Sequence, residues 1–298
     1  MYSRILFPTD FGEHARHALQ CTLEYRTVGL KEIILLHAID VNELGWYASA
    51  QYLKLREEQM REVAAINFQE LESLVRDQGI AVSSLVTTGI PSIEILHTAK
   101  QKQASLIIGG SHRKRRDEEE LLDTTTARVV RHSPIPVMVA RYHPAWEDAE
   151  KCAQYCQRQF SKLLVPVDWS DCAMKAVDYI AGLKTSEPQE VIVAHVLDEH
   201  ELQYADAEVI EECRQKDLEQ LERTKTRLAS EGFGVKTHLH VGKPHREIAR
   251  IAEEENVSLI VMGHHGKGWL KNLVIGSTTE RVLRTARVPV LVVNRMEI

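Results

Sequence analysis

Ser258-Leu259-Ile260-Val261-Met262-Gly263-His264-His265-Gly266, followed after nine residues by Gly276-Ser277, is the stretch that decides how this chain folds. Its first five residues form a short apolar run rich in branched side chains, which reads as a buried strand. Residues 277–287 have helical spacing. Between them lies a loop punctuated by glycine, a residue that lets the backbone approach a ligand closely. A Gly-Ser step opening a helix offers N–H groups and a hydroxyl to phosphate oxygens.

A damaged copy of the pattern lies 153 residues earlier. Ser105-Leu106-Ile107-Ile108 aligns with Ser258-Leu259-Ile260-Val261, Gly110 with Gly263, His112 with His265 and Lys114 with Lys267. Farther on, Thr125-Thr126 meets Thr278-Thr279, Arg128-Val129 meets Arg281-Val282, and Pro136-Val137 meets Pro289-Val290. Upstream, Gly89-Ile90-Pro91 meets Gly242-Lys243-Pro244. Near the start of each half the offset becomes 158, with Pro8-Thr9-Asp10 facing Pro166-Val167-Asp168 and Leu36-His37 facing Ala194-His195. A net length difference of five residues between His37 and Gly89 reconciles the two offsets. Solenoid repeats are much shorter than this, so the period signifies duplicated domains.

The 298 residues suit two domains. With 44% apolar and 27% charged residues the composition is that of a globular protein, and the net charge of −6 argues against a nucleic-acid partner. No apolar run approaches the ~18 residues that span a bilayer, so no membrane insertion is expected. The first residues enter a strand pattern directly, without the apolar core of a signal peptide. Five cysteines without framework spacing favour a reducing compartment. A cytoplasmic chain is the expectation.

Within each half, short apolar runs alternate with segments of helical spacing. In the first half the runs are 5–8, 33–38, 82–87, 105–108 and 136–139; in the second, Ile248, Ile251 and Ala252 mark one face of a helix after Pro244. Near-continuous apolar strands suit a parallel sheet covered on both faces. The predicted fold is therefore α/β, two tandem doubly wound domains each with a five-stranded parallel sheet. Residues 1–141 form the first domain, 142–159 a polar linker with Pro144 and Trp146, and 160–298 the second.

Taken together these marks resemble the universal stress protein family. They are Pro-Val-Asp-x-Ser over 166–170, the strand ending His195-Val196, Gly242-x-Pro244, Met262-Gly263-x-His265-Gly266, Gly276-Ser277 and Val288-Pro289-Val290. The resemblance implies strand order 3-2-1-4-5 in an adenine nucleotide α hydrolase-like fold. It also implies a Gly-x2-Gly-x9-Gly-Ser/Thr pattern in ATP-binding members, which the second half matches in full. Family members dimerise through the last strand, so the resemblance further implies an intramolecular pseudo-dimer of the two halves, with a homodimer of chains as a further option.

The resemblance and the residue chemistry together assign the second site. Asp168, at a strand end beside the topological switch point, accepts hydrogen bonds from ribose hydroxyls. Pro166, Val167 and Val196 supply apolar and backbone surface to adenine. Gly263 and Gly266 let the loop close over phosphates, Gly276, Ser277 and Thr278 present a helix N-terminus to them, His265 and Lys267 reach their oxygens, and Met262, at the strand end of the same motif, completes the binding set. The expected ligand is ATP, with or without Mg²⁺, or alternatively ADP or AMP. Competing roles are simpler: Asp168 or Ser277 as an ordinary helix cap, and His238, His240, His245 and His264 as solvated or core side chains, since nothing completes a zinc pattern. Trp169 stands where relatives often place glycine, and its indole either packs on the base or covers the strand end. Cys152 and Cys156 share a helical face in poor geometry for a disulfide and read as free thiols.

In the first half, Arg113 replaces the glycine matching Gly266 and Asp123 the one matching Gly276. Two unit charges ~4 Å apart repel by about 1 kcal/mol even in water, so Asp123 opposes a phosphate. Residues 117–120 add the same sign after the basic run 112–116. The first site is therefore expected to have lost family-type ATP binding, although Asp10 keeps the place of Asp168. The expected role is a nucleotide-controlled stress-response protein read by a regulatory protein partner, rather than an enzyme. A ligand-free interaction scaffold is one alternative. A nucleotide-using enzyme is another, but the adenylating signatures are missing at 168–171, and Gly266-Lys267-Gly268 fails as a dinucleotide fingerprint because position 271 is Lys.

Overall fold

In the computed structural model, residues 2–43, 49–110, 124–183, 189–203, 206–266 and 275–294 are described. They form two compact units, the described residues through Cys156 and those from Gln157 onward. The first unit contains β1 (Arg4–Pro8), α1 (Glu13–Leu23), β2 (Glu32–Asp40), α2 (Ala50–Arg76), β3 (Ala81–Gly89), α3 (Pro91–Gln101), β4 (Leu106–Gly110), α4 (Thr124–His132), β5 (Val137–Ala140) and most of α5 (Ala149–Gln157). The second contains β6 (Lys162–Pro166), α6 (Asp171–Ala181), β7 (Glu190–Asp198), α7 (Glu199–Leu202), α8 (Ala207–Ser230), β8 (Gly234–Gly242), α9 (Pro244–Glu254), β9 (Leu259–Gly263), α10 (Ser277–Thr285) and β10 (Val290–Val293).

Each unit is a parallel five-stranded sheet, ordered β3-β2-β1-β4-β5 in the first and β8-β7-β6-β9-β10 in the second. This is the expected 3-2-1-4-5 order, and the change of direction beside the first strand creates a crevice at the strands' carboxyl ends. Register follows the apolar runs: Ile5, Leu6 and Phe7 pair with Ile33, Ile34 and Leu35, and Leu163, Leu164 and Val165 pair with Val191, Ile192 and Val193. All twelve of these residues are almost fully buried, as both-face coverage of a parallel sheet requires. The long helices α2 and α8 pack on their own outer strands through stripes at the same spacing, Ala64, Phe68, Leu71 and Val75 in one, Asp217, Leu221, Thr224 and Leu228 in the other. Each stripe residue of α8 lies 153 positions after its partner in α2, so the duplication extends to the core-facing helix positions.

Segment 142–159 is more ordered than a polar linker implies. A 3-10 turn over Pro144–Glu147 buries Trp146, which lies near His14, Tyr142 and His17, the last in stacked orientation at 5.5 Å. The reading of Cys156 as a free thiol is corrected: it is disulfide-bonded to Cys21 of α1, with Cα atoms 4.6 Å apart. The helical-face argument weighed only the pair Cys152 and Cys156, and those sulfurs do stay unbonded at 4.0 Å. What it could not contain was α1, which the fold brings within bridging distance.

The amino ends of β6, β7 and β8 carry a linked set of charges. Lys162 Nζ lies 2.8 Å from Glu255 and 3.6 Å from Glu190, while Lys236 Nζ lies 2.7 Å from Glu190 and 3.3 Å from Glu255. The hydrogen bond from Lys162, aided by Lys236, pulls the Glu255 carboxyl down from 4.5 to about 2. A lowered folded-state value stabilises above the unfolded pKa, and the contribution is lost as pH falls through the folded one. The stability gap between the wild type and Glu255→Gln is therefore expected to be widest above pH 4.5 and to close toward pH 2. Urea unfolding across that range measures it; a gap independent of pH contradicts the assignment.

Candidate functional site

At the end of β6, Val167 N–H donates to the Ala194 carbonyl (2.8 Å), and His195 Nδ1 sits 2.7 Å from the Val167 carbonyl. The chain then turns sharply, with Trp169 in the left-handed region at φ 65°. Ser170 caps α6, its Oγ accepting from Ala173 N–H (3.3 Å), while the same hydroxyl donates to Asp168 Oδ1 (2.6 Å). Ser170 N–H also donates to Asp168 Oδ1 at 3.1 Å. Asp168 is thus not the cap of α6; its carboxylate is held by the cap residue and lines a cavity.

Two glycines make room for this arrangement. A Cβ on Gly263 would stand 2.6 Å from the Cys172 carbonyl group and 2.8 Å from Ala173 N, backbone atoms that cannot swing aside. Glycine there lets the end of β9 abut the first turn of α6. A Cβ on Gly266 would collide with Asp168 Oδ2. Beyond them, Gly276 N–H donates to the His264 carbonyl (2.9 Å), and Thr279 Oγ1 donates to the Gly263 carbonyl (2.9 Å), tying the start of α10 to the end of β9. Gly276 is the N-cap residue of α10 and brings no side-chain cap, and Ser277, one residue inside, is exposed. Ser277 therefore does not cap the helix.

The cavity enclosed by these pieces measures about 570 Å³ and opens at the carboxyl ends of β6, β7 and β9. Its lining includes Pro166, Val167, Ala194 and Val196, Leu202, Val209 and Ile210 from α7 and α8, and Ile248 from α9. Asp168, Gly263, Gly266 and the first turn of α10 line it as well. Burial holds the His265 imidazole below its usual range, so at neutral pH it is a neutral hydrogen-bonding group rather than a cation. Among the described residues no group of three or more His, Cys, Asp or Glu stands where it could hold a metal ion. His238 instead faces Glu255 at 3.2 Å, and His240 Nδ1 lies 3.1 Å from Arg250 Nη2.

The first unit repeats the frame. His37 Nδ1 lies 2.9 Å from the Thr9 carbonyl, Gly12 N–H donates to Asp10 Oδ1 at 2.9 Å, and Thr126 Oγ1 donates to the Gly110 carbonyl at 2.9 Å. A cavity of about 460 Å³ lies at the equivalent place, with Asp10, Gly110 and Thr125 in its wall.

The family model described as universal stress protein family matches residues 1–141 and again 159–294. The chain belongs to the universal stress protein family. It is similar to a universal stress protein of Methanocaldococcus jannaschii, 38% identical over 155 residues that span 46% of this chain and 96% of that one. A universal stress protein of Synechocystis is 24% identical over 263 residues, 83% of this chain and 80% of that one. The crystal structure of a universal stress protein from Archaeoglobus fulgidus superposes with a TM-score of 0.76 at 25% identity, covering 99% of both chains.

In this universal stress protein the cavity lining includes Pro166, Val167, Asp168, Val196, Met262, Gly263, His265, Gly266, Gly276, Ser277 and Thr278. Lys267 lies outside the described residues, as do Arg113, Asp123 and the charged runs 112–116 and 117–120. Trp169 does not line the cavity; its indole N–H donates to Asp217 Oδ1 at 2.8 Å and its ring lies against His195. Sequence reasoning missed Asp217, the α7 and α8 walls and the double role of Ser170. No sequence signal marked Asp217, because it falls where the offset between the halves changes, and only the matching buried stripes of the two helices align it with Ala64.

Gly263→Ala is expected to cost about 1–3 kcal/mol, because the added methyl meets backbone rather than a side chain that can rotate away. Urea unfolding checks this, and Gly110→Ala supplies the contrast: a Cβ there meets nothing within 4 Å among the described residues, so little loss is expected. Equal losses at the two positions contradict the packing account.

Proposed function

We propose that this universal stress protein binds ATP through its second domain, one nucleotide per chain. The observation that supports the reading is the joint approach of Asp168 and the uncapped start of α10 to a single cavity at the switch point. Adenine lies against Pro166, Val167 and Val196, and the ribose hydroxyls donate to Asp168. The phosphates lie at Gly263, Gly266 and the amides of Gly276, Ser277 and Thr278, where the helix dipole favours negative charge. Magnesium, where present, travels on the phosphates. The volume falls within the range of about 300–1,000 Å³ usual for small-molecule pockets.

The role is binding and regulation rather than turnover. The first domain supports the second, and its own pocket does not take a triphosphate because the sequence puts Asp123 where Gly276 stands in the other half. ATP alters the protein only through its different affinity for two conformations, and a protein partner reads the one it favours.

Calorimetric titration of ATP into the full chain is expected to saturate at one site. Gly276→Asp, which copies the first half's residue, is expected to abolish it. Failure of saturating ATP to bind the wild type refutes the reading, and sustained multiple turnover that Asp168→Ala removes would replace it with an enzyme. Gly266→Ala is expected to weaken ATP roughly 10-fold or more, the scale of one charge-assisted hydrogen bond, with little change in Tm because, among the described residues, the methyl displaces only the Asp168 carboxylate. Unchanged affinity in that variant contradicts a role for Asp168.

A further inference from the structure

Asp217 is 7% exposed and occupies a core position on the buried stripe of α8. An isolated carboxylate there carries a large desolvation cost unless it is bonded. Both oxygens are used: Oδ1 accepts the Trp169 indole N–H at 2.8 Å, and Oδ2 lies 3.2 Å from His195 Nε2. A carbonyl can only accept, so the 2.7 Å contact with Val167 places a proton on His195 Nδ1. The contact between Nε2 and Asp217 then needs a further proton on one of the two groups. One side chain of α8 thus holds the residue next to Asp168 and the ring that clasps the end of β6.

The first half shows that the fold does without this arrangement. There the residue after Asp10 is Phe11, also left-handed at φ 62°, and the stripe position matching Asp217 is the buried Ala64. Phe11 packs edge-on against Phe68 at 5.0 Å and beside His37 at 4.7 Å. In the second half Leu221 stands at the place of Phe68, so the aromatic contact is gone and the hydrogen bond to Asp217 takes its place.

We propose that Asp217 is a positioning residue of the second pocket, fixing the turn that carries Asp168 through Trp169 and the end of β6 through His195. Asp217 acts on the nucleotide through Asp168. The link to affinity rests on the ATP reading, whereas the link to the turn does not.

Two measurements on the full chain separate them. The first is amide hydrogen exchange without nucleotide, read at Ser170 N–H, which is bonded to Asp168 Oδ1, against Gly12 N–H, which is bonded to Asp10 Oδ1. Asp217→Ala is expected to speed exchange at Ser170 about 10-fold or more while Gly12 stays unchanged, in line with local opening of an unsupported turn. Asp217→Asn keeps an oxygen for the indole and offers an N–H to His195 Nε2, so protection is expected to return. Should Asp217→Ala not fold, Trp169→Phe with Asp217→Ala copies the Phe and Ala of the first half and takes its place, with the same loosening expected because Leu221 offers no aromatic partner. Ser170 protection unchanged in the alanine variants overturns the proposal.

The second measurement is ATP titration of Asp217→Ala, Asp168→Ala and the double variant, with Trp169→Phe added to each Asp217→Ala chain if that is needed for folding. If Asp217 works through Asp168, Asp217→Ala weakens ATP roughly 10-fold alone and less than about 2-fold in the Asp168→Ala background, since residues acting as a unit are not additive. Additive losses, or no loss in the single variant, overturn it. A wild type that binds no ATP refutes the nucleotide reading alone, and the exchange result then decides whether Asp217 positions the turn.

Discussion

Everything at the carboxyl end of the second sheet hangs on how β6 stops. Val167 N–H still bonds to β7, through the Ala194 carbonyl, but the Val167 carbonyl is taken by a side chain, His195 Nδ1. That exchange ends the strand without leaving a buried polar group unmatched, and it releases the chain into the turn bearing Asp168. The first half makes the same exchange, with Thr9 N–H on the Leu36 carbonyl and His37 on the Thr9 carbonyl. A histidine late in the second strand of each half is therefore a structural latch before it is anything else. Its presence in both copies, one with an intact glycine pattern and one without, argues that the latch serves the fold independently of the glycines.

How much of this was legible follows from the range of the interactions. The α/β class followed from apolar runs alternating with helical spacing, a local signal that the duplicate supplied twice, whereas the strand order came from the family resemblance, because spacing along the chain does not fix which strands pair. Gly263 and Gly266 were legible as places needing room, though the sequence could not say what fills it: the backbone of α6 for one, the Asp168 carboxylate for the other. Asp217 lies 48 residues from Trp169, on a helix whose other faces are charged. Only the core stripe shared with α2 distinguishes it from a solvated acid. Cys21 and Cys156 are 135 residues apart, and no spacing rule links a helix early in one domain to a segment read as a linker.

The two ends of the second sheet use charge in opposite ways. At the amino end, Lys162, Lys236, Glu190 and Glu255 neutralise one another at short range, and the stability this contributes is lost in acid. At the carboxyl end, Asp168 on the turn after β6 and Asp217 on α8 both line the cavity, with different fates. Asp217 spends both oxygens on Trp169 and His195, so it is chemically occupied and shapes the wall. Asp168 receives Ser170 through Oδ1, while its Oδ2 lies beside Gly266 at the cavity. The Asp168 carboxylate therefore stands both at the strand end and against the glycine loop, and the missing side chain of Gly266 makes the room for it. Duplication kept the latch, the turn and the cavity in both halves, while the support of the turn differs: Phe11 rests on Phe68 in one, and Trp169 bonds to Asp217 in the other.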